Sequence, residues 1–163
     1  MTYSKKEKLD ELLKDSKTFM LVTCDREGVM TARPMAAASV ENDAALYFFT
    51  SIDTKKTDEI IYDQNVLLTF QDSSRFISLS GHASISRHAE KIEELWKEPY
   101  KVWFPEGTAD PQLALISFKA DTAEYWSNEG MNKVRYIFEA VKAYAIGEKP
   151  EVQEPQQHGR LTL

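Results

Sequence analysis

The segment Thr50-Ser51-Ile52-Asp53-Thr54-Lys55-Lys56 gathers the densest set of groups able to do chemistry. It falls where a strand pattern ends and a helix pattern begins. Hydroxyls, free backbone N–H groups and a helix N-terminus would converge there on an anion. Lys55 and Lys56 add full positive charge where a phosphate dianion would sit. The alternative is a solvated lysine pair on a surface helix, an arrangement common in soluble proteins. A second candidate is Arg33-Pro34-Met35. An arginine inside an otherwise apolar strand needs an anionic or acceptor partner. That partner is either a bound ligand or one of the chain's 26 acidic residues.

Other residues point less sharply. Trp96, Trp103 and Trp126 could stack on a flat ligand, anchor an interface or fill a core. Cys24, the single cysteine, lies in an apolar strand pattern with no activating neighbour in sequence, which reads as structural burial. His82 falls on the polar face of a strand, and His88 and His158 show no metal-ligand spacing with Cys24. No Gly-x-Gly-x-x-Gly, Walker loop or Gly-x-Ser-x-Gly elbow is present.

The bulk numbers bound these possibilities. The 163 residues suit one domain with a real core. A formal net charge of -6 gives bulk nucleic-acid binding no electrostatic support, so any phosphate must be held by a local basic pocket. A lone cysteine fits a reducing compartment, the N-terminus lacks a signal-peptide pattern, and no apolar run is long enough to span a bilayer. A cytoplasmic protein is the expectation.

The elements that must position these residues can be read from periodicity. Ser4 and Glu7 form a capping-box pattern opening a helix with Leu9, Leu12 and Leu13 on one stripe. Residues 18–24 read as a strand apolar on both faces, hence sandwiched. Residues 29–40 form its hairpin partner, with Pro34 at an edge or bulge. Strands over 44–50, 66–70 and 76–86 follow, with a helix capped by Thr54 after the first of them. In the last of these strands Ile77, Leu79, Ala83 and Ile85 alternate with polar residues, and Gly81 implies a bend or a close backbone approach. A helix over 89–96, two strands over 113–118 and 123–126, and an amphipathic helix marked by Val134, Ile137, Phe138, Val141 and Ala145 complete the series. This divides the chain into a domain over 1–147 and a polar tail over 148–163, loosely held until its last few residues. Tight turns between early strands favour an antiparallel barrel with peripheral helices, a mainly β fold with some α.

Taken together, "ARPM…LYFFTSIDTKKTDEI", "VLLTFQDSSRFISLSGHASI", "IEELWK…VWFPEGTADPQLALISF" and "AEYW" resemble the pyridoxamine 5'-phosphate oxidase-like FMN-binding split barrels, in particular their general stress protein 26 branch. The resemblance covers residues 5–147. It implies an antiparallel split barrel that works as a homodimer, with FMN, or FAD, in a groove between subunits. It also implies site roles. Arg33 resembles the family's second-strand arginine, with Pro34 and Met35 running beside the ring. Phe49, Thr50 and Ser51 would line the ring and ribityl chain, Lys55 and Lys56 would hold the phosphate, and Trp103 and Phe104 would reach the flavin from the second subunit. The chain departs from the B6 oxidases themselves: Ala38 and Phe76 stand where those carry lysine and glutamine. The functional expectation is a flavin-dependent oxidoreductase with an unidentified redox partner. Alternatives are a non-catalytic flavin store or sensor, or a groove that is empty or takes another flat ligand such as haem or a deazaflavin.

Overall fold

The computed structural model describes residues 4–127 and 158–163. The helix expected over Val134–Ala145 lies outside the described residues. Helix α1 (Lys5–Lys14) opens with the capping box: the Glu7 amide donates to Ser4 Oγ at 3.2 Å and the Ser4 amide to Glu7 Oε2 at 2.8 Å. Its Leu9, Leu12 and Leu13 are buried in the core that the strands enclose.

The strands are β1 (Thr18–Cys24), β2 (Met30–Ala36), β3 (Ser39–Glu41), β4 (Ala45–Ser51), β5 (Asn65–Gln71), β6 (Arg75–Ser86), β7 (Leu113–Ser127) and β8 (His158–Thr162). Helices α2 (Lys55–Tyr62) and α3 (Ala89–Leu95) lie between them. The sheet runs β2-β1-β5-β6-β7-β4-β3, with β8 on β7, and the pairings are antiparallel. Its two end strands are consecutive in sequence. Between them the Ala37 amide donates to Lys17 O at 2.8 Å, at the β1 end, and the Ala38 amide to Tyr47 O at 2.7 Å, on β4. Neighbouring amides thus bond to opposite ends of the sheet, which curls it into an antiparallel split barrel. This is why the single strand expected over 29–40 is interrupted at Ala37 and Ala38. Pro34 does lie on an edge strand, where its missing N–H breaks no ladder.

The two strands expected over 113–118 and 123–126 are one 15-residue strand, β7. Leu113–Lys119 pairs with β4 and Thr122–Trp126 with β8, so different strands share one flank of β7. The register shift on its other flank falls between Ser80 and Gly81. Of the bend or close approach expected at Gly81, the close approach is found: a Cβ there would lie 2.0 Å from the Lys119 carbonyl oxygen.

The barrel core joins Phe19, Leu21, Phe48, Leu68, Leu79 and Tyr125 to the α1 leucines. A second cluster of Ile92, Leu95, Phe104, Leu113 and Leu115 covers Tyr47 and Phe49 on the opposite face of β4. Strand β1 differs from expectation. Phe19 and Leu21 are fully buried, but Met20 on the outer face is 39% exposed, so within one chain β1 is not sandwiched. Among the described residues no helix is long and apolar enough to cross a membrane.

Gly81→Ala should destabilise the fold by at least about 2 kcal/mol, because the obstructing atom is backbone. Gly28→Ala, at φ +81 with nothing within 4 Å of the new Cβ, should lose only about 1 kcal/mol from strain. Urea unfolding of both variants measures the difference.

Candidate anion-binding site

Strand β4 ends at Ser51 and α2 begins four residues later. Thr54, in extended conformation, caps the helix by accepting from the Thr57 amide at 3.4 Å. The Thr57 hydroxyl donates back to Ser51 O at 3.0 Å, and the Ile52 amide donates to Gln112 O at 2.8 Å. The first closes the corner on itself, and the second pins it to the start of β7. Ser51 Oγ donates to Gln112 Oε1 at 3.1 Å, and buried Thr50 donates to Ser51 O at 3.3 Å. As in any helix, the first-turn amides of Lys55 and Lys56 have no intrahelical acceptor.

Arg33 pairs with Leu21 across the β1–β2 ladder and so shares the inner face with Leu21 and Thr23. It donates through Nη1 to the Thr23 hydroxyl and through Nη2 to Glu59 Oε2 at 3.2 Å. Thr23 in turn donates to the same Glu59 oxygen at 2.6 Å. Glu59, only 4% exposed, projects from the inner side of α2. Its second oxygen, Oε1, has no well-aligned hydrogen bond, and Lys55 Nζ stands 3.4 Å away. Burial pushes the Glu59 carboxyl upward, but the Thr23 hydroxyl, Lys55 and Arg33 outweigh it, and the net shift is down.

The two lysines diverge. Lys55 is largely exposed and lies between Glu59 and Asp25, whose Oδ2 is also 3.4 Å away; its ammonium pKa is raised, first by Glu59 and then by Asp25. Lys56 is half-buried, touches Thr54 Oγ1 at 3.3 Å, and has no carboxylate partner among the described residues. Burial lowers its pKa, and the Arg33 charge lowers it further. An ammonium and a guanidinium thus repel one another at a helix N-terminus, with nothing anionic on Lys56. That donor set fits a phosphate monoester.

The structure therefore joins Arg33 and Lys55 through a residue that sequence reasoning missed, Glu59, and sets Lys56 and the Thr50–Ser51 hydroxyls at the same corner. Both alternatives for the basic residues are in part realised: Arg33 does have a carboxylate partner, and Lys55 is exposed. Pro34 is exposed on the outer side of β2, and Met35 packs against the core. Phe49 is held edge-on by Tyr100 (centroids 4.9 Å) and Trp96 (5.8 Å). Phe104 is buried in the second cluster, and Trp103 is 78% exposed; the partners of Phe104 are apolar side chains, not the Arg33 group. The missed residues did leave a signal: Thr23 continues the Phe19–Leu21 alternation, and Glu59 lies beside Ile60 on the buried stripe of α2. Each is a polar residue at a core position.

Fold and corner together define an antiparallel split barrel with a lysine- and hydroxyl-bearing turn between strand and helix. The chain belongs to the pyridoxamine 5'-phosphate oxidase like family, whose profile matches residues 4–151. Among curated proteins it is similar to Neurospora crassa protein bli-3, 29% identical over 129 residues. That match covers 72% of this chain and 62% of the Neurospora protein, so the chain spans less than two thirds of that relative. Among solved structures, the general stress FMN/FAD binding protein of Xanthomonas citri is 32% identical, covers 78% of this chain and 91% of its own, and superposes with a TM-score of 0.65. A protein assigned as general stress protein 26 from Jannaschia sp. CCS1 matches over 96% of both chains, with a TM-score of 0.74 at 23% identity, and shares the fold.

Arg33→Ala leaves Glu59 buried without its guanidinium and should destabilise the protein by about 3 kcal/mol at neutral pH. In the native chain the lowered Glu59 pKa contributes stability above the ordinary glutamate value of about 4.3, and that contribution fades as pH falls through the folded pKa. In the variant the lowering by the Arg33 charge is lost, so the carboxyl protonates at higher pH than in the native chain, and protonation relieves the penalty. The stability gap between the two proteins should therefore narrow in acid, which unfolding midpoints across pH would reveal. A gap that widened in acid would contradict this assignment of charges.

Proposed function

We propose that this chain is a flavin-binding protein of the general stress protein 26 type that holds FMN by its phosphate at the β4–α2 corner. The observation that carries this is Lys56: a half-buried ammonium beside Arg33 and a helix N-terminus, without a carboxylate among the described residues. Family membership and the similarity to a Xanthomonas protein described as FMN/FAD binding support the same reading. A bound flavin supplies hydride or electron transfer at its ring, and the chain's part is binding, orientation and electrostatics. Oxidoreduction with an unidentified donor is the finer reading. Storage or sensing without turnover is the alternative, favoured by the description of the Xanthomonas relative as a binding protein.

The protein should purify yellow, with FMN as the chromophore identified by mass. Lys56→Ala should weaken FMN binding more than tenfold, since a charge-assisted contact contributes roughly 1.5–3 kcal/mol. Riboflavin, which lacks the phosphate, should bind both forms alike. Steady NAD(P)H consumption by the coloured protein would mark an enzyme over a store. Equal FMN affinity for the native protein and the variant would remove this corner from the site.

The working unit in this reading is a homodimer. Through the ladder registers, Met20, Phe76 and Trp126 share the outer face of β1, β5, β6 and β7. They are 39%, 40% and 41% exposed, an apolar surface that a second copy would cover. Sedimentation at micromolar concentration should give the dimer mass, and Met20→Lys should shift the population toward monomer. A native chain that sediments as a monomer would oppose this assembly.

A further inference from the structure

Glu59 is out of place beside a phosphate site. A carboxylate there weakens the attraction an anion feels, yet it is nearly fully buried. Its bonds account for its position. Oε2 takes the Thr23 hydroxyl at 2.6 Å and Arg33 Nη2 at 3.2 Å, and Arg33 Nη1 donates to the same Thr23 hydroxyl. A guanidinium has five N–H donors on a flexible stem, and anchoring one at each terminal nitrogen fixes its plane and leaves three directed elsewhere. The second oxygen, Oε1, lacks a well-aligned hydrogen bond and draws Lys55 Nζ to 3.4 Å, while Asp25 holds that ammonium from the other side. Lys56, one residue on, has no such partner among the described residues.

From this geometry we infer that Glu59 is a positioning residue: it fixes Arg33 so that its unused N–H groups converge with the Lys56 ammonium on one phosphate, and it keeps Lys55 out of that set. The two adjacent lysines then have different tasks, Lys56 toward the ligand and Lys55 as part of the counter-charge around Glu59. The inference rests on the phosphate site proposed above. It adds that recognition depends on a residue that touches only the protein.

The test compares FMN with riboflavin, because a device that orients phosphate-binding groups acts on the first ligand alone. Dissociation constants for both would be measured by fluorescence titration on the native protein and on Glu59→Ala, Glu59→Gln and Lys56→Ala. Glu59→Ala should lower FMN affinity about tenfold and leave riboflavin affinity unchanged. Glu59→Gln keeps an amide oxygen that accepts from Arg33 and Thr23, so it should retain the native preference for FMN. If Glu59→Ala weakens both ligands equally, or leaves the preference intact while Lys56→Ala abolishes it, Glu59 is only a structural counter-ion and the inference fails. A glutamine variant as impaired as the alanine one would also overturn it, because charge and not hydrogen bonding would then be at work. If Lys56→Ala too leaves the preference at its native value, the site itself is misassigned. Should Glu59→Ala not fold, Thr23→Val decides: removal of the shared hydroxyl should reduce the preference for FMN, and an unchanged preference would refute the positioning role.

Discussion

A carboxylate withdrawn from water must find cations and donors or give up its charge, and at the rim of this barrel Glu59 finds them on three separate elements. Thr23 comes from β1, Arg33 from β2 and Lys55 from the first turn of α2 itself. The helix could not rotate or slide without stranding that charge. Burying Glu59 therefore fixes the angle at which α2 leaves β4, and with it the direction of the helix N-terminus and of Lys56. The strand-to-helix corner is thus held by a buried carboxylate that reaches β1 and β2.

The barrel makes that meeting possible. Arg33 and Glu59 are distant in sequence, and they approach only because β2 and β4 belong to a sheet whose ends are brought round on each other. Two adjacent alanine amides complete the turn, one bonding toward β1 and the next to β4. On the opposite side, Gly81 lets β6 press its backbone against Lys119, where the register shifts and the flank of β7 passes from β4 to β8. At Gly81 the Lys119 carbonyl leaves no room for a side chain. Gln112, just before β7, then takes the Ile52 amide and the Ser51 hydroxyl, so barrel shape and corner shape are one constraint.

Charge is distributed unevenly in this small region. Asp25 and Glu59 balance Lys55, and Glu59 also balances Arg33, while Lys56 faces Thr54 alone among the described residues. An acidic chain thus keeps a local positive site without a basic surface. On the outer face of the sheet, Met20, Phe76 and Trp126 remain partly exposed.

Local pattern made much of this legible. The capping box before α1, the Thr54 cap of α2 and the alternation along β6 each follow from side-chain chemistry acting within a few residues, and all appear where expected. The basic corner was legible for the same reason: hydroxyls, lysines and a helix start adjoin in sequence. Other features were decided only by long-range pairing. The break at Ala37 and Ala38 exists because the sheet closes there, and β7 runs unbroken because its flank changes partner without its backbone turning. The difference between Lys55 and Lys56 was equally hidden, since no local rule says which of two adjacent lysines meets Asp25 and Glu59. The sequence by itself determined most of the elements and the gathering of hydroxyls, lysines and a helix start at one corner, because those depend on neighbours along the chain. Only the tertiary structure decided which of those charges meet a carboxylate and which, among the described residues, does not, because that depends on groups brought together across the barrel.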